Sequence, residues 1–417
     1  MTERIAPHSQ RLAAMRRSRL AERVMVWLLQ RLPHGTLVIE EAGISLAFGT
    51  GAPVQYVRVH DARTYTALIR RGSIGFGESY SEGWWDVDDL TVCIQFVIRN
   101  MAPLLHRLDR WAKVFAPLRD ALAALRRRTK ASDKADIMAH YDLGNDFYQL
   151  MLDPTMMYSC AYFDRPDATL EEASLTKLER LCQSLHLTAD DHLLEIGTGW
   201  GGLAVYAASV YGCRVTSVTI SDAQYDYATA RVEAEGLSHL VTILNQDYRD
   251  LTGTFDKLVS VEMIEAIGWR QLTTYFETCS RLLVDDGLMA LQAIVIEDAS
   301  YQRTKNTEDF IKNMIFPGGF LPSLEAILSY AGRAGGLRMV YLDDIGRHYA
   351  ETLKRWRENL IAHQGAFDDL GLGTRFERMW FLYLQYCEAA FLEAHVSDVQ
   401  VVLAKSGYRS PLEIAAN

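Results

Sequence analysis

From about residue 185 onward, short apolar runs alternate with stretches of helical periodicity, as a parallel sheet with crossover helices requires. The runs His192–Ile196, Arg214–Thr219, Val241–Leu244, Lys257–Val261 and Leu288–Ile296 read as strands, with helices between them. Two later runs, Arg338–Leu342 and Gln400–Lys405, complete the sheet, and a helical insertion rich in Trp, Tyr and Phe, Tyr349–Ala394, separates them. The expectation is an α/β doubly wound sheet, with the insertion placed to roof the carboxyl edge where such folds bind ligands. Before residue 130 the pattern differs. Basic helical stretches at Gln10–Arg31 and Val92–Arg128 flank a mixed segment with strand-like runs such as Leu37–Glu40 and Val54–His60. The polar, charged stretch Arg126–Asp136 reads as a linker, so the predicted domains are 1–130 and 131–417.

Composition adds a class and a partner. With 417 residues and 49% apolar side chains, the chain can bury a large core. The apolar run Val24–Leu29, bracketed by Arg23 and Gln30, is too short for a signal-peptide core or a membrane span, which predicts a cytoplasmic protein. Six scattered cysteines without CxxC spacing predict free thiols and no metal site. The net charge of −10 hides a polarity: residues 1–134 carry 21 Lys/Arg against 13 Asp/Glu, a net +8, and the remainder carries −18. Such a basic region meets nucleic acid or anionic lipid. Between Leu104 and Lys134 the basic side chains interleave at helical spacing with Leu105, Leu108, Trp111, Phe115 and Leu122, which favours an anionic membrane surface over nucleic acid. A packed helix with a solvated basic face is the plainer alternative.

The sequence HLLEIGTGWGG, residues 192–202, places Gly197, Gly199, Gly201 and Gly202 between an apolar strand and a helix. Glycine suits a tight turn that a ligand approaches closely, and alone this pattern would equally announce a dinucleotide. Glu195 stands before the first glycine, and no acid ends the next strand, RVTSVTIS, where an NAD ribose would be gripped. A cationic sulfonium ligand is therefore preferred.

Read in order, HYDLGNDFYQLMLDPTMMYSCAYF (140–163), EIGTGWGG, VTSVTIS, NQDYRDL (245–251), VSVEMIEAIG (259–268) and IFPGGFLPS (315–323) resemble the successive motifs of cyclopropane-fatty-acid synthases and mycolic acid methyltransferases. Upstream, RRGSIGFGESYSEGWWDVDDL (70–90) resembles the N-terminal domain of the phospholipid-acting members. The resemblance implies a seven-stranded class I S-adenosylmethionine-dependent methyltransferase fold with a smaller N-terminal lipid-binding domain. It implies S-adenosylmethionine contacts at Tyr158, Ser159, Gly197, Thr198, Gly199, Trp200, Gly201, Gly202, Thr219, Gln224, Gln246, Asp247 and Tyr248, to which the reading of the glycine motif adds Glu195. Tyr158 could instead be a core aromatic, and Asp247 a helix cap.

The implied substrate is a phospholipid with unsaturated acyl chains, met at the inner face of the membrane, with a homodimer left open. An isolated alkene is a poor nucleophile, so a methyl sulfonium must be oriented against it in a dry pocket. Attack leaves a carbocation that aromatic faces can stabilise; Tyr158, Tyr162, Tyr349, Trp380, Tyr383 and Tyr386 are candidates, although Phe376, Trp380, Tyr383 and Cys387 also form a stripe typical of a core face. In the family a bicarbonate ion is thought to take the proton whose loss closes the ring, and the resemblance places its holders at Glu265, Tyr349, Cys160 and Cys387. Gln292 stands where the family has a histidine, and Phe320 where a cysteine is common. Glutamine can donate a hydrogen bond but cannot titrate, so methylene or methyl branching stands as the alternative product.

Overall fold

A computed structural model describes residues 20–100 and 143–409, and these divide into two compact units. The amphipathic stretch Leu104–Lys134 falls outside the described residues, as do the parts of the two basic stretches before residue 20 and after residue 100.

The first unit holds α1 (Leu20–Leu29), β1 (Gly35–Glu41), β2 (Ile44–Thr50), β3 (Val54–Val59), α2 (Arg63–Arg71), α3 (Ser73–Ser81) and β4 (Trp85–Val87). Its sheet runs β2-β1-β3-β4, with β1 antiparallel to β2 and parallel to β3. The unit is not confined to the start of the chain. Residues Asn306–Ile315 and Trp356–Ala394 belong to it as well, so most of the predicted helical insertion has its partners here. The helix Gly373–Leu392 packs on α3; Arg378 donates to the Tyr80 and Trp85 carbonyls and pairs with Asp86. Phe310 fills the notch over Gly77, where a Cβ would stand only 2.1 Å from the ring.

The second unit is the predicted sheet. After α4 (Asn145–Met151) and α5 (Leu170–Ser184) come β5 (His192–Ile196), α6 (Gly202–Tyr211), β6 (Arg214–Thr219), α7 (Asp222–Ala234), β7 (Val241–Asn245) and β8 (Phe255–Val261). They are followed by α8 (Leu272–Leu282), β9 (Leu283–Ile296), α9 (Asp298–Thr304), α10 (Leu324–Gly335), β10 (Arg338–Asp344), α11 (Gly346–Ala362), which belongs to this unit as far as Arg355, and β11 (Val396–Ala404). The strand order is β10-β11-β9-β8-β5-β6-β7, and β11 runs antiparallel to both neighbours. The order reverses between β5 and β8, the switch point at whose carboxyl end ligands bind. Alternate strand residues feed two cores: Leu194, Leu258 and Met289 enter one, while Leu193, Val259 and Leu288 enter the other. Such burial on both faces explains why these strands read as continuous apolar runs. Among the described residues, no helix is long and apolar enough to cross a membrane.

Candidate active site

At the end of β5 the buried run stops and the chain turns through Gly197 (φ 102°), Gly199 (φ 52°) and Gly201 (φ 80°), a backbone that side-chain-bearing residues rarely adopt. A Cβ on Gly199 would meet nothing within 4 Å, so the turn faces open space. At Gly202 the need is packing, since a Cβ would stand 2.6 Å from the Thr155 carbonyl oxygen and 2.8 Å from the Met157 sulfur. Close approach there brings the Tyr158–Ser159–Cys160 segment against the turn. Glu195 lies beneath: it accepts from the Ser217 hydroxyl, which also bonds Thr198 at 2.7 Å. Burial raises its carboxyl to about 8. Glu195 thus braces the turn from within the sheet. Trp200 donates its indole N–H to Asn145 at 2.8 Å and packs on Tyr148.

The predicted residues on the next strands line up at the same edge. Thr219, ending β6, donates to the Gln224 side chain at 2.9 Å, and both are buried. The Gln246 N–H bonds the Thr219 carbonyl. Asp247 caps the turn Tyr248–Asp250 and pairs with Arg249 at 2.6 Å, so the capping alternative describes its observed contacts. Tyr248 is buried edge-on against Tyr275. Tyr158 is partly exposed between the rings of Tyr148 and Phe316, while the Ser159 hydroxyl accepts from Lys177 at 2.7 Å.

A carboxylate-centred cluster follows β8, and its centre is a residue the sequence reading passed over. Glu262 receives three hydrogen bonds: the Cys160 N–H at 2.8 Å and the Gln292 amide at 2.8 Å on one oxygen, and the Tyr349 hydroxyl at 2.7 Å on the other. Gln292 also donates to Asp398 at 2.9 Å and accepts from Gln400 at 3.1 Å. Glu265 stands one turn on, accepting the Ile294 N–H at 2.6 Å; its other oxygen is buried with no partner among the described residues. Cys160, Gln292, Tyr349 and Glu265 therefore come together in the second unit. Cys387 lies in the first unit, on the helix Gly373–Leu392, where burial and nearby Asp309 raise its thiol. The accompanying aromatics pack as a core face: Trp380 stacks on Phe376 at 5.5 Å and meets Tyr383 edge-on at 5.2 Å. Phe320 is buried, and its N–H bonds the Glu265 carbonyl.

The electrostatics are those of several acids crowded around one cation. Burial raises the carboxyls of Glu262, Glu265 and Asp398, Glu265 to about 8. Burial raises Asp398 well above the ordinary carboxylate value, with Glu262 and Glu265 adding to the effect. Glu262 accepts three donors, which favours its ionised form, whereas the Asp398 Oδ1 has no partner among the described residues, which favours protonation of Asp398. Lys177 is fully buried on α5 and its pKa is lowered by desolvation, against which Glu262, Asp398 and Asp153 act. Neither Lys177 nor Asp398 was singled out from sequence. Lys177 could have been, for it sits on the face formed by Leu170, Ala173, Ser174, Leu178 and Leu181, a charge at a core position of the helical pattern.

The open glycine turn, with partly exposed Tyr158 beside it, fits a nucleoside-bearing sulfonium. The bicarbonate expectation fares differently. Three donors that would hold a free anion, from Cys160, Tyr349 and Gln292, are committed to Glu262, and the Ile294 N–H is committed to Glu265. The residues present do not fit a separate bound anion.

The sequence profile of the mycolic acid cyclopropane synthetase family matches residues 128–401. Over 378 residues the chain is 37% identical to tuberculostearic acid methyltransferase UfaA1 of Mycobacterium tuberculosis, covering 89% of this chain and 88% of that protein. It is likewise 37% identical over 382 residues to the cyclopropane-fatty-acyl-phospholipid synthase of Escherichia coli K12, covering 91% and 94%. A solved structure of the mycolic acid cyclopropane synthase CmaA1 complexed with SAH and CTAB superposes with a TM-score of 0.61 at 31% identity, covering 65% of this chain and 98% of that one. With the sheet order, the glycine turn and the ordered motifs all in place, the chain belongs to the mycolic acid cyclopropane synthetase family of S-adenosylmethionine-dependent methyltransferases.

Proposed function

We propose that this enzyme methylates a double-bond carbon in an unsaturated acyl chain of a phospholipid, and that the resulting carbocation closes a cyclopropane ring by losing a proton from the new methyl group. S-adenosylmethionine, when bound, supplies the electrophilic methyl. The residues that would hold it are the Gly197–Gly202 turn with Thr219, Gln224, Gln246 and Tyr248. The observation carrying this reading is the buried carboxylate cluster around Glu262. An alkene has no acidic proton to remove before attack, so a base is needed only afterwards, at the cation, in a site that keeps water out. The ring face of Tyr158 can stabilise that cation without capturing it. The lipid substrates in the names of the two relatives support the same reading.

Gln292 favours a second product. Its amide does not titrate, and its shortest bonds go to Glu262 and Asp398, so it cannot relay a proton as histidine would. Loss of a chain proton next to the cationic carbon gives a methyl-branched unsaturated chain, and a 1,2-hydride shift to that carbon followed by loss of a proton from the new methyl group gives a methylene branch. For the basic N-terminal stretch we propose peripheral attachment to the anionic inner face of the membrane.

The test uses the full-length protein with labelled S-adenosylmethionine and vesicles of monounsaturated anionic phospholipid. Mass spectrometry should find acyl chains with one added CH2, and fragmentation separates ring from branch. Protein that binds S-adenosylmethionine yet labels no acyl chain overturns the proposal. Vesicle binding should weaken as salt rises, because surface charges are screened within about 10 Å at 0.1 M.

A further inference from the structure

We propose that Glu262 is the catalytic base, its own carboxylate standing where a free anion would otherwise be held, so that this enzyme turns over without bicarbonate. The inference rests on the acyl methyl transfer proposed above. Its ground is geometric: the Cys160 N–H, the Tyr349 hydroxyl and the Gln292 amide, drawn from three separate segments, converge on two oxygens of one side chain at 2.7 to 2.8 Å. Glu262 also holds a backbone that a glutamate rarely adopts, with φ 48°, and a residue keeps such strain where the surroundings over-determine it, commonly at functional sites. The next residue, Met263, packs its side chain 3.2 Å from where a Gly197 Cβ would be. That contact puts Glu262 next to the glycine turn. The residue as a whole is partly exposed, while its carboxylate is buried among the three donors.

The neighbouring groups suit the role. The three donors favour an ionised Glu262, Lys177 offsets the buried charge, and desolvation makes the carboxylate more basic than one in water. In the reaction the alkene π electrons form the new C–C bond as the C–S bond breaks, with its electron pair staying on sulfur. Glu262 then takes a proton from the cation. The released C–H electrons form the ring bond, or the new double bond of a branched chain, and the protonated Glu262 later returns its proton to water.

Three preparations test this in buffer stripped of carbon dioxide, with S-adenosylhomocysteine release and lipid mass spectrometry as readouts. Wild-type turnover should change by less than about twofold when bicarbonate is added. Glu262→Gln keeps the shape without the base and should lose about 10² to 10⁴ in turnover, with S-adenosylmethionine affinity nearly unchanged. Glu262→Gly relaxes the left-handed backbone and vacates the carboxylate's place, so formate or bicarbonate should restore at least about tenfold of its lost rate, and chloride should not. A wild type that needs bicarbonate, or a Glu262→Gln variant that keeps more than about a third of its rate, overturns the inference. Loss in Glu262→Gly without rescue would make Glu262 a positioning residue for the donors and overturn it too. If Glu262→Gly does not fold, the other two preparations decide. A wild type that methylates no acyl chain under any condition refutes the functional proposal instead, which keeps the two failures distinct.

Discussion

Glu262 and Glu265 lie three residues apart, and both carboxyls are buried, but they meet different partners. Glu262 collects three donors from other segments, whereas Glu265 accepts the Ile294 N–H, and burial pushes its pKa from 4.5 to about 8. The sign of the consequence is fixed. Between these values the unfolded chain ionises this carboxyl while the folded chain keeps it protonated, so its contribution to stability is complete below pH 4.5 and is lost as pH rises through 8. Cofactor-free protein should therefore lose urea resistance between about pH 5.5 and 7.5, and Glu265→Gln should flatten that decline. An equally steep decline in the variant would assign the effect elsewhere, Glu195 being the other buried acid raised to about 8. Lys177→Met should be more damaging at every pH, by about 3 to 5 kcal/mol in chemical denaturation, because it strips the compensating cation from a buried acidic cluster. Much of this site was legible: the family motifs pointed to Cys160, Tyr349, Gln292 and Glu265. Glu262 was not, since VEMIEAIG offers two glutamates and only the fold shows which one faces the donors. Asp398 escaped because its bond to Gln292 joins residues 106 positions apart, and no local pattern records such a pairing.

At the scale of elements, five short apolar runs and two late ones were enough to find all seven strands of the larger sheet, because burial on both faces leaves a nearly continuous apolar signature. The start of β9 was hidden. The expected strand begins at Leu288, whereas β9 begins at Leu283 and its pairing with β8 shifts register. The connection after β5 can be probed directly. Gly202→Ala would push a methyl group into the Thr155 carbonyl and the Met157 side chain; overpacking of this kind costs about 1 to 3 kcal/mol. Because the strain falls on the segment leading to Tyr158, calorimetric titration should also show weaker S-adenosylmethionine binding. Unchanged stability and affinity would mean that the 155–157 segment moves aside freely. In the first unit, Gly77→Ala should be at least as costly, since its Cβ would overlap the Phe310 ring.

In the molecule as a whole, the chain does not complete one unit before it begins the other. The chain leaves the second unit after Lys305, returns at Phe316, leaves again after Arg355 and returns at His395. Each excursion supplies parts the first unit uses: Phe310 over Gly77, and the helix Gly373–Leu392 against α3. Deleting residues 1–130 should therefore not release a stable methyltransferase; it would strip the cover from Trp380, Tyr383 and Phe310, buried apolar surface that then drives aggregation. Limited proteolysis and size exclusion would show this, and a monomeric, cooperatively folding truncation would contradict it. The interlaced path also constrains inheritance. A segment that can be cut out and pasted elsewhere must enter and leave its host once, whereas here a graft would have to replace three stretches of sequence together. Recombination at one joint would join mismatched halves of a core, so changes in such a chain are expected to accumulate as point substitutions within each unit rather than by exchange of a front domain.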